Sequence, residues 1–363
     1  MPQTPQTSSP VEIDGSYCEG GGQILRTALT LSVLTGRPTR LRKVRIKRDK
    51  PGLSPQHLTV VRALAELCDA DVEGASLRST ELTFIPSTAP RAGSYTFDVA
   101  EATAGGSAGS ISLLFQALLF PLLAGGGVSH LTLKGGTHVR MSPTFDDLQH
   151  VYLPTLARMG VHARITLETW GFYPRGGGEI RAEIEGNPGA NEVGMQPLWP
   201  LTITERGELE SIHARAVACN LPDHIAHRMA NRAEELLADL SVPVNISRET
   251  VQGVGPGAVI HLTANYVHVS AGFTGHGKPG KPSEAVAEDA CKQLRTHHAT
   301  GAPVEPHLAD QLLLPMALAG ERSEIRTSAD TSHLVTNAHV IQQFLPVEFE
   351  GEGHEVRRWR CRT

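Results

Sequence analysis

Nothing in this 363-residue chain approaches the ~20 consecutive apolar residues that a bilayer-spanning helix requires. The opening MPQTPQTSSP has neither the positive start nor the apolar stretch of a secretory signal, so residues 1–10 read as a disordered tail. Cysteine is sparse: Cys18, Cys68, Cys219, Cys291 and Cys361 are odd in number, and none stands in a C-x-x-C pair. That excludes a disulfide framework and a thiolate zinc site, and it points to a reducing, cytoplasmic setting. A positive excess is missing too. The net charge of -5 argues against a protein that coats long nucleic acid, which carries a broad basic face. Neither a membrane nor an obligate protein partner is indicated. Also absent, with the flanks they need, are G-x-G-x-x-G, H-E-x-x-H and G-x-S-x-G. GHGKPGK at 275–281 has P-loop spacing, but Pro282 stands where Ser or Thr must meet magnesium and provides no N–H. It reads as a basic loop.

What is present supports a sizeable core: 40% of residues are hydrophobic, over a length suited to about two domains. Three stretches share one layout, an apolar helix closing on a small residue and glycine: GGGQILRTALTLSVLTG, SAGSISLLFQALLFPLLAG and LADQLLLPMALAG. Each is followed by a short extended segment, a second helix with apolar residues at three- and four-residue spacing, and then strand-like segments. The closing glycines are Gly36, Gly125 and Gly320, spaced by 89 (36 to 125) and 195 (125 to 320) residues. The longer interval predicts a second domain inserted before the third lobe. The expected fold is therefore α+β: three repeated lobes form a large domain from 11–197 and 303–363, and residues 198–302 form a smaller α+β insert.

Two glycine-rich segments, DGSYCEGGGQILR and GFYPRGGGEI, suggest phosphate chemistry. In EGGGQILR the glycines let backbone approach a ligand, and the helix after them aims its unpaired N–H groups there; a tight strand-to-helix turn is the plainer alternative. Glu19 beside such a site suits a magnesium ligand or a helix cap. From Arg37 to Lys50, eight of 14 residues are Lys or Arg, opposed only by Asp49. Within RIKRDKPGLSPQH, Arg45, Arg48 and Lys50 precede a Pro-Gly turn, and Ser54 and His57 open the next helix, a grouping suited to phosphate oxygens or to a solvated strand face. Among 17 histidines, His333 in S-H-L-V-T-N lies in a loop between the two helices of the third lobe. An imidazole there is a competent nucleophile near neutral pH, because much of it carries a free lone pair.

DGSYCEGGGQILR, KPGLSPQHL, GFYPRGGG, HLADQLLLPMALAG and SHLVTN together resemble, in order and spacing, the RNA 3'-terminal phosphate cyclase family, from about Val11 to Phe349. The resemblance implies βαβαββ lobes with an insert before the last. It also implies that His333 attacks the α-phosphate of ATP with the help of Mg²⁺ or Mn²⁺, that AMP moves to an RNA 3'-phosphate end, and that the 2'-OH closes a 2',3'-cyclic phosphate. By position it places ATP contacts at Glu19, Gln116, Pro143 and the segment His307, Leu308, Ala309, Asp310 and Gln311, with Asp310 on the ribose or the metal and Glu19 as a metal ligand. Arg26, Arg45, Arg48, Lys50 and His57 match phosphate- or RNA-holding positions. Two residues depart from the family pattern: His307 stands where a tyrosine occurs, and Trp170 where a basic residue commonly precedes G-F-Y-P.

Two other functions are compatible with parts of this pattern. Non-catalytic RNA-processing or ribosome-assembly relatives lack the nucleophilic histidine. Enolpyruvyl-transferase-like enzymes build repeated lobes but have no insert and no S-H-L-V-T-N element.

Overall fold

The structure, a computed structural model, describes residues 9–103, 106–189, 191, 193–353 and 357–362. Residues 1–8 of the expected tail lie outside the described residues; Ser9 and Pro10 are exposed.

Each lobe is built the same way. The first runs β1 (Val11–Asp14), α1 (Gly22–Thr35), β2 (Thr39–Arg42), α2 (Pro55–Cys68), β3 (Asp71–Glu73) and β4 (Leu82–Ile85). The second runs β5 (Ser94–Asp98), α3 (Ile111–Ala124) and β6 (Val128–Gly135), then a helical stretch of α4 (Phe145–Asp147), a π-type turn (Leu148–Tyr152) and α5 (Leu153–Ala157). It closes with β7 (Ala163–Thr169) and β8 (Gly178–Glu185). Their sheets have the orders β1-β2-β4-β3 and β5-β6-β8-β7. In each, the first two strands are parallel, the arrangement a helical crossover permits, and the last strand inserts antiparallel beside the second.

The third lobe differs from the expected boundary. β9 (Thr202–Ile203) pairs in parallel with β14 (Ser323–Thr327), and Leu198 bridges Ala319, so residues 198–203 belong with the third lobe rather than with the insert. Between β9 and α8 (Pro306–Ala317) lie β10 (Leu209–Cys219), α6 (His224–Leu237), β11 (Val244–Val251), β12 (Gly257–Tyr266), β13 (Ser270–His276) and α7 (Ser283–Thr300). After β14 come α9 (Ser332–Gln342), β15 (Glu348–Glu352) and β16 (Arg357–Arg362). The third sheet, β15-β16-β14-β9, repeats the order of the other two once β9 is counted as its first strand. The extra unit therefore interrupts the third lobe after one strand instead of preceding it. β9 has only two residues and no amphipathic period, which is why the spacing of helix ends could not register it.

The long first helices form the common core. In α3, ISLLFQALLFPLLA is apolar almost all round, and 11 of its residues are buried because α1, α2, β6 and β8 surround it. α1 packs against α2, α3 and α9, which brings the first turns of helices from different lobes together. The intervening unit has its own sheet, β11-β10-β12-β13. One face, with Ile212, Ala214, Ile260, Leu262 and Phe273, is buried under α6 and α7. The other carries His213, Arg215, His261, Thr263, Thr274 and His276 and faces the second lobe.

Candidate active site

A cavity of about 380 Å³ is walled by all three lobes and by β13. Of the residues expected to act, Arg26, Gln116, Pro143, His307, Leu308, Asp310, Gln311 and His333 line it. Ala309 is fully buried and lies off this wall.

His333 is the second residue of α9, with Thr331 capping the helix through a bond accepted from the Leu334 N–H; it is not in a loop, as expected, but in a first turn. Its Nδ1 lies 2.6 Å from Oε1 of Gln23 in the first turn of α1. An amide oxygen can only accept, so the imidazole proton sits on Nδ1 and Nε2 carries the lone pair. Nε2 is 3.9 Å from Oε1 of Glu19. Burial and then the charges of Arg26, His307 and Arg48 hold the His333 pKa below its ordinary 6.5, which favours the neutral ring.

His57 has the opposite tautomer. It occupies the third position of α2, where the Ser54 N–H donates to Nδ1 at 3.3 Å and the Ser54 Oγ lies 2.7 Å away. The ring thus takes the place of the Glu or Gln of a capping box, and its proton is left on Nε2, turned toward Gly22. Full burial, with Arg26 and Arg45 nearby, keeps His57 well below its ordinary pKa. First turns of α1, α8 and α9 meet at the cavity through Gln23, His307, Leu308 and His333, with Glu305 and Thr331 capping N–H groups of α8 and α9.

Glu19 accepts from the Gly21 N–H at 2.6 Å and forms an ion pair with Arg48, so those two expected residues meet each other as well as His333. Arg26 is half-buried, and desolvation of its guanidinium lowers it to about 10 while Asp310 pulls the other way. Burial lifts the Asp310 carboxyl to about 7, with Glu305 adding and His307 and Arg26 opposing. His307 rises to about 9 because its Nδ1 is 2.6 Å from Glu305. Gln116 donates to Gln311 at 2.6 Å, and Gln311 donates to the His307 carbonyl at 2.8 Å. Arg45 turns inward to the carbonyls of Lys50 and Gly52 at 3.1 and 2.7 Å, which fixes the 45–52 turn. Lys50 is exposed on that turn, outside the cavity wall.

GFYPRGGG does not reach this cavity. A Cβ on Gly171 would meet the Gly135 carbonyl at 2.3 Å, and one on Gly177 would meet Val254 at 2.9 Å, so these glycines permit close packing of the second lobe and the inserted sheet rather than cradling phosphate. Trp170 is buried there. Its ring stacks on His138 with centroids 4.5 Å apart, and the Arg215 guanidinium lies 5.2 Å from the ring centre. In the basic loop 277–282, Lys281 pairs with Asp289, while His276 beside it lines the cavity.

Gln23, Asp147, Glu305 and Asn337 also line the cavity without having been singled out. Gln23 and Asn337 lie inside the motifs GGGQILR and S-H-L-V-T-N; nothing in the sequence marks Asp147.

Among the described residues, no group of three or more His, Cys, Asp or Glu side chains forms a metal cage. One carboxylate, Glu19, stands beside His333, which suits an ion such as Mg²⁺ that takes one or two carboxylates and completes its shell with phosphate oxygens and water. No helix of the described residues is long and apolar enough to cross a membrane.

Comparison with known proteins places these features in one family. The sequence profile described as RNA 3'-terminal phosphate cyclase matches residues 17–351. The RNA 3'-terminal phosphate cyclase of Trichormus variabilis is 51% identical over 92% of this chain and 94% of its own length. The protein of the same name from Methylococcus capsulatus is 50% identical over 92% and 91%, and that from Pyrobaculum aerophilum 42% over 93% and 94%. The crystal structure of the enolpyruvyl transferase NikO from Streptomyces tendae aligns with a TM-score of 0.37 at 13% identity, covering 97% of this chain and 48% of that one, a likeness too weak to bear on function.

Proposed function

The chain belongs to the RNA 3'-terminal phosphate cyclase family, and from that premise we propose that it converts RNA 3'-terminal phosphates to 2',3'-cyclic phosphates at the expense of ATP, with His333 as the covalent carrier of AMP. The observation that carries this reading is the neutral His333 ring: its Nδ1 is engaged by Gln23, and its Nε2, 3.9 Å from Glu19 and beyond hydrogen-bond distance of it, keeps its lone pair on the cavity wall.

Nε2 of His333 attacks the α-phosphorus of ATP, forming an N–P bond as the P–O bond to pyrophosphate breaks. Arg26 and the helix first turns offset the charge that builds on the phosphate oxygens. An oxygen of the RNA 3'-phosphate then displaces the histidine and takes AMP. The neighbouring 2'-OH attacks that phosphate, loses its proton and expels AMP, closing the ring. This last step is intramolecular, where effective concentrations reach roughly 10⁵–10⁸ M, so positioning supplies much of the acceleration.

Glu19 would hold Mg²⁺ or Mn²⁺, which supplies charge neutralisation between phosphate oxygens. Pro143 and His307 would flank the adenine, Gln116 and Gln311 would form a polar wall for the nucleoside, and Asp310 would meet the ribose or the ion. His57 would offer its Nε2–H to a phosphate near Gly22, with Arg48 and Lys50 further out for the RNA end. Arg45 would then shape the turn more than touch phosphate. The five free thiols, four of them buried, suit a cytoplasmic setting.

The test is incubation with α-labelled ATP and Mg²⁺ or Mn²⁺. Label is expected on the protein as an acid-labile, base-stable adduct absent from His333→Ala, and RNA 3'-phosphate should discharge it. Label that persists in His333→Ala would overturn the assignment.

A further inference from the structure

Gln23 has so far been only a neighbour of the nucleophile. It is 8% exposed, and its amide is held at both ends: Oε1 accepts from His333 Nδ1 at 2.6 Å, and Nε2 donates to Asp310 Oδ1 at 3.4 Å. The far side is itself anchored. Asn337 Nδ2 donates to the Asp310 carbonyl at 2.8 Å, and Asn337 Oδ1 accepts from Thr27 Oγ1 at 2.7 Å. These bonds join α1, α8 and α9 around the imidazole.

The amide has one orientation that satisfies both neighbours. Turned over, its oxygen would face the Asp310 carboxylate and its NH₂ would face the protonated Nδ1. The orientation matters because a neutral imidazole in water prefers its proton on Nε2, the nitrogen that must carry the lone pair if it is to attack. An amide also does this without adding charge. A carboxylate in its place would stabilise imidazolium, which has no lone pair to offer.

We propose that Gln23 is a positioning residue: braced by Asp310, it fixes His333 with its proton on Nδ1 and presents Nε2 to the α-phosphate. This rests on His333 being the AMP carrier. In this role Gln23 acts through His333, so its loss should slow transfer of AMP to the enzyme far more than it weakens nucleotide binding.

The experiment compares Gln23→Met, which keeps the volume and removes the acceptor, with Gln23→Glu, which keeps an acceptor for Nδ1–H. Single-turnover adenylylation at saturating ATP is measured for each, together with the affinity for α,β-methylene ATP, which cannot transfer AMP. Gln23→Met is expected to lose on the order of 10²-fold in rate, the scale of a misplaced reacting group, with a far smaller change in the analogue's affinity. Gln23→Glu keeps an acceptor for Nδ1–H but raises the His333 pKa, so its rate is expected to be low near pH 6 and to climb above that of Gln23→Met as pH rises toward 9, with its adduct on Nε2 by ¹⁵N–³¹P coupling. The proposal is overturned if Gln23→Met transfers AMP at the wild-type rate, if its loss appears wholly in affinity, or if Gln23→Glu stays as slow as Gln23→Met up to pH 9. Absence of adduct in the wild-type protein would overturn the functional reading beneath it.

Discussion

The Nε2 of His57 occupies the space above Gly22: a Cβ added there would lie 2.0 Å from it, and 3.1 Å from Nη1 of Arg26. Three residues of different type thus meet at the first turn of α1. The absent side chain of Gly22 lets an imidazole N–H and a guanidinium approach the first turn of α1 together.

Gly22→Ala is therefore expected to push His57 out of its bond with Ser54 and to lower adenylylation far more than a helix-propensity gain would suggest. A single misplacement of about 1 Å in such a site costs on the order of 10²-fold. Adenylylation rate and thermal midpoint measured together distinguish this from unfolding; wild-type activity in Gly22→Ala would refute it.

Asp146 ties the second lobe to the inserted sheet. It is 1% exposed, with His138 Nε2 at 2.8 Å and Arg215 Nη1 at 2.6 Å, and Arg215 also grips Glu249. Burial pushes its carboxyl up, but His138, His261 and Arg215 outweigh that and hold it below the usual range. Asp146→Ala leaves Arg215 and His138 without this partner in a desolvated interface, so a loss of about 3–5 kcal/mol is expected in denaturant unfolding. A change below about 1 kcal/mol would show that solvent reaches the pair.

Stability should fall with rising pH through Asp147. Burial, then the charge of Glu305, raises its carboxyl from 3.8 to about 7, against the pull of His307. The folded state holds this proton more tightly than the unfolded one, so the contribution is fully present below pH 3.8 and is lost as pH climbs through about 7. Asp147→Asn is expected to flatten that decline between pH 5 and pH 8 in urea titrations. Asp310, raised in the same direction by burial, gives the same sign.

His307 is held cationic at neutral pH by Glu305 and sits on the cavity wall with Pro143. A cation over an aromatic face contributes about 0.5–2 kcal/mol, so His307→Ala is expected to weaken ATP binding by roughly 2- to 30-fold while leaving the rate of AMP transfer at saturating ATP nearly intact. A collapse of that rate at unchanged affinity would assign His307 to the chemistry instead.

Much of the architecture is legible in the chain because helices announce themselves by period. Three apolar helices closing on glycine revealed the lobes, and the long third interval revealed an insertion. Its position was misjudged by one strand, because the two residues of β9 acquire meaning only through pairing with β14. GFYPRGGG misled for a related reason. Glycines that admit a phosphate and glycines that admit another backbone look alike until the neighbours are known.

For the site, local motifs were enough to single out His333, Glu19 and the basic turn, since reactive and anion-binding residue types cluster in short segments. The tautomer of His333 was not contained in any of them. Gln23 and His333 are 310 positions apart, and the nitrogen left free on each of the two histidines depends on which hydrogen-bonding group stands 2.6–3.3 Å away. Residue type and short-range spacing determined the chemistry available to this protein. Only the packing of α1, α2, α8 and α9 decided where each proton resides, because hydrogen bonds act over distances that a linear order does not specify.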